Sequence, residues 1–411
     1  MVNVFTTTSK KDTYMKYAIY GISCGGKDTF INKLLASGKF PGYEHPKGSE
    51  TLNLIAQGNF GKTFKELSSE DKDLVRVKYA AELSQKENIL ADGHFCFPKN
   101  GSYEVVFTDS DAECYDAFFY LKAKPEVVKE RIANSEKNQR YTNLTVEDIA
   151  AWQDNEIAGL RAECFKRNKD FVVLDDDYES VLEFLTLYDA NFKYVDAYQQ
   201  ACRLAGICKI FSSGKIALID CDRTLVQEDT GTLFFKANNA SLEPVKELFA
   251  GDIYSQYQFW KYQEMYRNFS VLPSVEQVHF NPIVTSKIEE LRKQGFLIVG
   301  VTSGISDIWK EFHQENDVMD LILCSDSCLG ITISDLVKGY LSKILSRENE
   351  VFACGDSMTD IYMLEAASQG VIYAPGKIRS SVQEYLNRHP ETKIKQFEQN
   401  NFRYNNIEVV L

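Results

Sequence analysis

Two series of short apolar segments, separated by charge-rich stretches with helical periodicity, follow one another along the 411-residue chain. Strands that alternate with helices predict parallel sheets covered by helices, which is the α/β class. The predicted strands of the first series lie at 16–21, 88–92, 117–121 and 170–174. Those of the second series lie at 215–222, 296–303, 321–324, 350–355 and 370–374. A chain of this length with two such series is expected to form two domains.

The boundary between the two series follows a helical pattern at 188–208. Ser212, Ser213 and Gly214 come next and suit a hinge. We therefore expect one domain over residues 1–205 and a second over residues 206–411.

Composition excludes several classes of partner. Forty-six Lys and Arg against fifty-nine Asp and Glu give a formal charge of −13, which repels nucleic-acid backbones and argues against extended nucleic-acid binding. No run approaches the roughly 20 apolar residues that span a bilayer, and the first fifteen residues lack an apolar signal core. The ten cysteines are scattered, without the paired spacing of a zinc site. A cytoplasmic protein with reduced thiols and no membrane partner is expected.

Polar side chains stand at the ends of three strands in the second series. Asp220 and Asp222 are two residues apart, so they share a face in extended chain. Such close carboxylates need a cation or a shared proton. Ser303 ends the next strand, and Asp356 and Asp360 follow a third. Because the carboxyl ends of parallel strands meet at one edge, these residues predict a single crevice.

The half from about 210 to 411 resembles the haloacid-dehalogenase phosphatase superfamily. Its four signature elements occur in order: DCDRT beginning at Asp220, Ser303, Lys338 within VKGYLSKIL, and GDSMTD containing Asp356. The resemblance implies a Rossmann-like phosphatase core.

The resemblance also implies a role for each element. Asp220 would attack phosphorus to form an aspartyl-phosphate, and Asp222 would protonate the leaving oxygen and later deprotonate water. Ser303 and Lys338 would bind the phosphate oxygens, while Thr224 braces the loop. Mg²⁺, a cation that prefers oxygen ligands, would be the cofactor. The candidate metal ligands are Asp220, Asp222, Asp356 and Asp360.

Residues 226–294, between the first two elements, have the pattern of aromatic-rich helices and predict an inserted helical cap. This arrangement is similar to phosphoserine-phosphatase-like members of the superfamily. Asp229 is expected either to face the substrate, as in that branch, or to cap a helix N-terminus. A cap that closes over the site favours small phosphomonoesters.

The first series opens with a strand followed by GISCGGKDT, which fits the phosphate-binding pattern GxxxxGK. The residue after the lysine is Asp28, where the usual motif has a hydroxyl for Mg²⁺. Thr29 stands one position later, as in nucleoside monophosphate kinases of the adenylate-kinase type, which this half resembles. Asp28 would either weaken triphosphate binding or act through a metal. The candidate ATP ligands in this loop are Gly21, Gly25, Gly26, Lys27, Asp28 and Thr29.

Further residues of the first series fit a P-loop kinase with a three-layer parallel sheet. Asp92 ends the second strand and suits a Mg²⁺-water or acceptor-base role. His94 lies in an acidic-x-His segment resembling those kinases, although it also fits an ordinary loop residue. Arg131 and Arg140 would clamp the phosphates during transfer, or belong to a solvated helical face.

Together these patterns predict a bifunctional enzyme that uses Mg²⁺ and ATP. The expected activities are a Mg²⁺-dependent phosphatase and an ATP-dependent kinase, acting on a small phosphorylated metabolite or nucleotide. One alternative is a polynucleotide 5′-kinase and 3′-phosphatase, and another is a phosphatase with a regulatory nucleotide-binding module.

Overall fold

The computed structural model describes residues 14–251, 253–325, 332–374 and 377–398. Residues 1–13, which make up most of the segment searched for a signal core, lie outside the described residues. The chain divides into two compact units, Met1–Asp189 and Ala190–Leu411. Among the described residues, no helix combines the length and the hydropathy needed to cross a membrane.

The first unit is built on a four-stranded parallel sheet with the order β2-β1-β5-β6, accompanied by a β3-β4 antiparallel hairpin. All five residues of β5 and of β6 are buried, as expected for continuous apolar runs in a parallel sheet. The strands are β1 Lys16–Tyr20, β2 Ile89–Gly93, β3 Cys96–Lys99, β4 Ser102–Val105, β5 Ala117–Leu121 and β6 Asp170–Leu174. The helices are α1 Lys27–Ala36, α2 Gly48–Phe60, α3 Ser69–Ser84, α4 Asp109–Cys114, α5 Pro125–Ala133, α6 Val146–Arg167 and α7 Tyr178–Ala190.

The second unit is built on a six-stranded sheet with the order β12-β11-β10-β7-β8-β9, in which every pairing is parallel. The strands are β7 Lys215–Asp220, β8 Leu297–Thr302, β9 Leu321–Cys324, β10 Glu350–Gly355, β11 Gln369–Ala374 and β12 Lys395–Glu398. The helices are α8 Phe192–Val195, α9 Ala197–Phe211, α10 Thr230–Ala237, α11 Glu243–Leu248, α12 Gln256–Tyr266, α13 Pro282–Lys293, α14 Ser306–Glu315, α15 Asp335–Leu345, α16 Ile361–Ala366 and α17 Ser380–Arg388. The predicted α/β class with two parallel sheets is confirmed.

The division between the units falls before the predicted boundary, at residue 189 instead of 205. The reason is that α9 packs within the second unit. The ring of Tyr198 on α9 makes an edge contact with Tyr340 on α15, and Lys209 pairs with Glu348. The predicted helix at 188–208 is also interrupted between α7 and α9.

A helical insertion follows β7, and its two ends are joined by an antiparallel bridge between Val226 and Phe280. Aromatic residues of this cap form their own cluster, with Phe234, Phe235 and Tyr262 buried. The predicted cap range, 226–294, extends too far, because α13 belongs to the layer that covers the sheet. The α13 residues that pack with strands β7 and β8 in the main core are Val284, Ile288 and Leu291.

Candidate active sites

A buried lysine bridges two carboxylates at the carboxyl edge of the second sheet. Lys338 Nζ on α15 lies 2.6 Å from Oδ1 of Asp220, the last residue of β7. The same ammonium lies 2.8 Å from Oδ1 of Asp360. The exposed side-chain fractions are 1% for Lys338, 9% for Asp220 and 0% for Asp360, so water screens these charges little. The predicted convergence of Asp220, Lys338 and Asp360 is therefore observed.

Asp360 fixes the loop that follows β10. Its Oδ2 accepts hydrogen bonds from the backbone N–H groups of Asp356 and Ser357, at 3.2 and 3.1 Å. The carboxylate also lies against Gly355, where a Cβ would come within 2.4 Å of Asp360 Cγ. Glycine at 355 is thus required for this close approach. With both oxygens engaged, Asp360 holds Lys338 and the loop in place.

Asp356 completes a group of carboxylates that could hold a metal ion. Ligand oxygens of Asp220, Asp356 and Asp360 all lie within 4.8 Å of one another. Asp356 Oδ2 also pairs with Arg379 at 2.5 Å. All donors are carboxylate oxygens, the ligand type that Mg²⁺ prefers. The position of this group agrees with three of the four predicted metal ligands.

Asp222, which was predicted as a fourth metal ligand, lies outside the group of carboxylates that could hold a metal ion. Its Oδ1 accepts the backbone N–H of Thr230 at 2.6 Å, and its Oδ2 accepts the indole N–H of Trp309 at 3.2 Å. Both oxygens of the Asp222 carboxylate are therefore engaged by hydrogen-bond donors. Gly304 leaves room for it, since a Cβ there would lie 2.5 Å from Asp222 Oδ2.

Burial shifts the pKa values of these acids upward because it penalises the charged form. Burial and the neighbouring Asp360 raise the pKa of Asp220 well above its usual range. Burial, reinforced by the charge of Asp229, raises the pKa of Asp222 to about 6. Burial also raises the pKa of Asp356 to about 6, although Arg379 opposes the shift. A group with the pKa of Asp222 can exchange a proton near neutral pH.

The two predicted hydroxyl groups, on Ser303 and Thr224, have similar surroundings. Ser303 Oγ is buried near the end of β8, with no hydrogen-bond partner among the described residues. An unsatisfied donor of this kind fits an absent anionic ligand. Thr224 is fully buried, and its Oγ1 likewise lacks a partner in the described part of the chain. One contact that holds this loop runs from Asn281 Nδ2 to the backbone oxygen of Thr224, at 3.2 Å.

Asp229 caps the N-terminus of α10, which is one of the two roles predicted for it. Its Oδ1 accepts the backbone N–H of Thr232 at 2.8 Å. Its Oδ2 pairs with Arg223 at 2.9 Å. The cap alternative is confirmed, and the side chain also lies near enough to Asp222 to raise its pKa.

In the first unit, the predicted phosphate-binding loop connects β1 to α1. Gly26 precedes the helix with φ of 96°, a left-handed conformation that glycine adopts without strain. No side chain caps the N-terminus of α1. A Cβ on Gly25 would lie 3.0 Å from the backbone oxygen of Ile22. The loop therefore presents backbone N–H groups at a helix N-terminus, the usual setting for a bound phosphate.

Lys27 lies at the start of α1, buried and directed back along its own loop. Its Nζ donates to the backbone oxygens of Gly21, at 2.5 Å, and Ile22, at 3.1 Å. Burial lowers the pKa of this lysine. His94 Nε2 lies 3.3 Å from the same ammonium, and burial together with the Lys27 charge holds the pKa of His94 well below its usual range. His94 is thus a neutral neighbour of Lys27.

Asp28, His45 and Asp92 form a second group that could hold a metal ion, with ligand atoms within 4.8 Å of one another. Thr29, predicted to replace the hydroxyl ligand of Mg²⁺, is exposed. Asp28 occupies the position directly after Lys27, and its carboxylate lies within 4.8 Å of the ligand atoms of His45 and Asp92. Burial tends to raise the pKa of Asp92, but the hydrogen bond from His45 and the Lys27 charge outweigh it and lower that pKa.

The two predicted arginines differ in their contacts. Arg131 Nη1 donates to the backbone oxygen of Cys24 at 3.3 Å and therefore reaches the phosphate-binding loop. Arg140 instead stacks on two rings, with its guanidinium carbon 4.6 Å from the Tyr141 centroid and 5.5 Å from that of Phe97. Of these two arginines, Arg131 is the one that contacts the phosphate-binding loop.

Comparison with known protein families finds a match in each of the two units. Residues 20–150 match the family described as AAA domain. Residues 217–365 match the family described as haloacid dehalogenase-like hydrolase. The chain joins a P-loop kinase-like domain to a haloacid-dehalogenase-like hydrolase domain. It is therefore an enzyme, and both resemblances found in the sequence are confirmed. No curated protein matches the chain.

Solved structures similar to parts of the chain include both kinds of enzyme. A phosphoserine phosphatase from T. onnurineus is 19% identical, covering 40% of this chain and 84% of its own, with a TM-score of 0.31. The shikimate kinase from Bacteroides thetaiotaomicron is 15% identical, covering 42% of this chain and 96% of its own, with a TM-score of 0.28. A gluconokinase from Sinorhizobium meliloti 1021 is 14% identical, covering 43% and 93%, with a TM-score of 0.28.

Several residues of the hydrolase and P-loop domains were not identified from the sequence. In the hydrolase domain these are Trp309 and Thr230, which bind Asp222, and Arg379, which pairs with Asp356. Arg379 also lines a cavity of about 500 Å³ beside Asp356. In the P-loop domain, His45 lies in a region that matched no known pattern. None of these residues stands at a predicted strand end, so the signal that located the others was missing.

Proposed function

We propose that the hydrolase domain releases phosphate from small phosphomonoesters through an aspartyl-phosphate on Asp220. The observation that carries this proposal is the buried bridge of Lys338 between Asp220 and Asp360. It keeps an ammonium beside a carboxylate at the strand end, where a phosphate oxygen would need a counter-charge. The unsatisfied Ser303 Oγ supports the same reading, since it would donate to a phosphate oxygen.

The proposed reaction has two steps. A carboxylate oxygen of Asp220 forms a bond to phosphorus, the bond to the ester oxygen breaks, and Asp222 gives its proton to that oxygen. In the second step Asp222 accepts a proton from water as the water oxygen attacks phosphorus. The acyl-phosphate bond then breaks, which releases phosphate and restores Asp220. The hydrogen bonds from Thr230 and Trp309 hold Asp222 in position for both transfers.

Mg²⁺ is the cofactor that we propose for this site. The carboxylates of Asp220 and Asp356 would bind it, with Asp360 orienting their loop, and the all-oxygen donor set fits a hard cation. When bound, the ion offsets the charge of the nucleophile and the phosphate. Lys338 and Arg379 add positive charge beside Asp220 and Asp356, respectively.

Small substrates are favoured because the cap packs against the segment that follows the Ser303 strand end. Phe234, Phe235 and Tyr262 of the cap pack with Ile305 and Ile308, which directly follow the Ser303 strand end. A cap anchored beside the catalytic loop restricts the space around the phosphate. We propose a small phosphorylated metabolite or nucleotide as the substrate class.

For the P-loop domain we propose ATP-dependent phosphorylation of a small molecule. The loop N–H groups at α1 and the buried ammonium of Lys27 would bind the β- and γ-phosphates. Arg131, which contacts the loop at Cys24, would add a positive charge near the transferred group. Asp92, at the end of β2, would act on the metal or on the acceptor hydroxyl.

One experiment tests the two activities together. Full-length protein with Mg²⁺ is incubated with a panel of phosphomonoesters, and released phosphate is measured. ATP consumption is followed in parallel with the dephosphorylated forms of the same compounds. We expect turnover of small metabolites in both assays. Preferential turnover of short oligonucleotide ends would replace this proposal by a polynucleotide kinase-phosphatase. ATP binding without phosphate transfer would reduce the P-loop domain to a regulatory module.

A further inference from the structure

The P-loop domain contains a histidine and two carboxylates that converge from three separate elements. Asp28 lies in the first turn of α1, His45 in the connection to α2, and Asp92 near the end of β2. His45 Nε2 lies 3.4 Å from Asp92 Oδ1 and 3.6 Å from Asp28 Oδ1. One imidazole nitrogen therefore faces two carboxylate oxygens at once.

The backbone holds His45 in this position before any ligand binds. Glu44 forms a bridge to Ile89, and the backbone N–H of Glu44 donates to Asn88 while its oxygen accepts from Leu90. These bonds attach the segment before His45 to the edge strand that carries Asp92. The His45 side chain is only 3% exposed. Its other ring nitrogen, Nδ1, lies 3.5 Å from Asn32 Oδ1.

The contacts of His45 with the two carboxylates are long. Both distances exceed the roughly 2.7–3.2 Å of a well-formed N–H···O bond, so the hydrogen bond to Asp92 is a weak one. Two ligands that share an ion at bond lengths of about 2.1 Å are separated by roughly 3.0–3.4 Å. The 3.4 Å to Asp92 meets this range, and the 3.6 Å to Asp28 lies just above it. A second, independent observation is the place of Asp28 in the chain. It directly follows Lys27, where the P-loop motif has its metal-binding hydroxyl.

We propose that Asp28, His45 and Asp92 bind a divalent first-row transition-metal ion, for which Mn²⁺ is the probe, in preference to Mg²⁺ and without nucleotide. An imidazole suits transition metals, whereas Mg²⁺ is bound through oxygen and keeps several waters. A usual P-loop offers one hydroxyl and acquires its metal with the nucleotide; three protein ligands can hold the ion beforehand. The role of the ion in phosphate transfer rests on the proposed ATP-dependent function, but the binding of metal alone does not.

The test uses Mn²⁺ as the probe and the full-length chain. Asp220→Asn and Asp356→Asn are introduced together to remove two carboxylates of the hydrolase site. Free Mn²⁺ is then measured by electron paramagnetic resonance during a titration without nucleotide. We expect one Mn²⁺ bound per chain, with Mg²⁺ competing at least about tenfold more weakly, on the scale of ligand-type preferences. Competition by Mg²⁺ at equal concentration would overturn the proposal.

Two variants, made in the protein that carries Asp220→Asn and Asp356→Asn, test which residues bind the ion. His45→Phe keeps a ring of similar size but no ligand, and Asp28→Ser changes a side chain that is 74% exposed, which removes the risk to folding. Each should weaken Mn²⁺ binding by about tenfold or more. The matched controls His389→Phe and Asp73→Ser lie outside the site and should bind as the parent does. Unchanged Mn²⁺ affinity in both site variants would refute the assignment.

Asp28→Ser separates this inference from the proposed function. It restores the hydroxyl of the usual motif, so Mg²⁺–ATP binding by calorimetry should persist while Mn²⁺ binding without nucleotide is lost. If His45→Phe changes neither phosphate transfer with Mg²⁺ nor the binding of Mn²⁺, the proposed metal site is overturned. The kinase proposal then still stands. A Mn²⁺ site that responds to both variants supports the inference, even if no acceptor is ever phosphorylated.

Discussion

Replacing the buried lysine of the hydrolase domain should destabilise that domain severely. Lys338→Met keeps the aliphatic stem but removes the ammonium that lies 2.6 Å from Asp220 and 2.8 Å from Asp360. Both carboxylates would then remain buried without their counter-charge. Breaking a buried ion pair in this way costs about 3–5 kcal/mol of unfolding free energy. Adding Asp360→Asn to Lys338→Met should recover part of this loss, because only one of the two carboxylates, Asp220, then remains buried without its counter-charge.

The assay is urea unfolding followed by tryptophan fluorescence. Trp260 and Trp309 belong to the second unit, so a Trp152→Phe background limits the signal to that unit. Lys287→Met is the matched control, since its side chain is 7% exposed but its partner Glu290 is 53% exposed. That pair should contribute only about 0–1 kcal/mol. A loss below about 1 kcal/mol in Lys338→Met would refute the argument that this bridge is an essential buried ion network.

Three further outcomes are expected. Removing divalent metal with EDTA should stop phosphate release, and full turnover after thorough chelation would contradict the carboxylate site. Lys27→Ala should abolish ATP binding measured by calorimetry yet leave phosphatase turnover at the parent level; unchanged ATP affinity would reduce the loop to a turn. Trp309→Phe should lower kcat by about 10- to 100-fold with little change in KM, because a hydrogen bond of about 1.5–3 kcal/mol to Asp222 is lost. An unaltered kcat in Trp309→Phe would show that this bond does not position the acid.

The strands with continuous apolar runs could be predicted from the sequence. The predicted ranges 117–121, 170–174, 321–324 and 350–355 agree with the observed strands to the residue. Such runs carry their own signal, because both faces of a parallel strand are buried. The predicted range 215–222 was too long, since the chain leaves the sheet after Asp220.

Short strands with mixed composition could not be found in this way. The hairpin of CFPK and SYEV and the last strand, KQFE, have few apolar residues. Their pairing is decided by neighbouring strands, which a local pattern does not contain.

The residues of the candidate sites also fall into two groups, those that a local sequence pattern locates and those that only the fold brings together. Asp220, Ser303 and Asp356 were predictable because parallel strands end at one edge, and each follows an apolar run. Trp309 contacts Asp222 across 87 residues of sequence, from the buried face of a helix. That position looks like any other core aromatic in the sequence, so only the fold identifies it.

The direction of a side chain was also beyond the sequence. The motif places Asp222 two residues from Asp220, and extended geometry would put both on one ligand. In the structure the two side chains have different partners: Asp222 binds Thr230 and Trp309, whereas Asp220 pairs with Lys338. These partners are distant in the sequence, so the local motif does not reveal them.

Replacement of the nucleophile tests the central claim most directly. Asp220→Asn keeps the shape of the side chain but cannot form an acyl-phosphate, so phosphate release from the best panel substrate should fall to less than about a hundredth of the parent rate. Near-ultraviolet circular dichroism that matches the parent would show that the fold is retained. Phosphate release above about a hundredth of the parent rate in the folded variant would contradict the assignment of Asp220 and, with it, the proposed phosphatase mechanism.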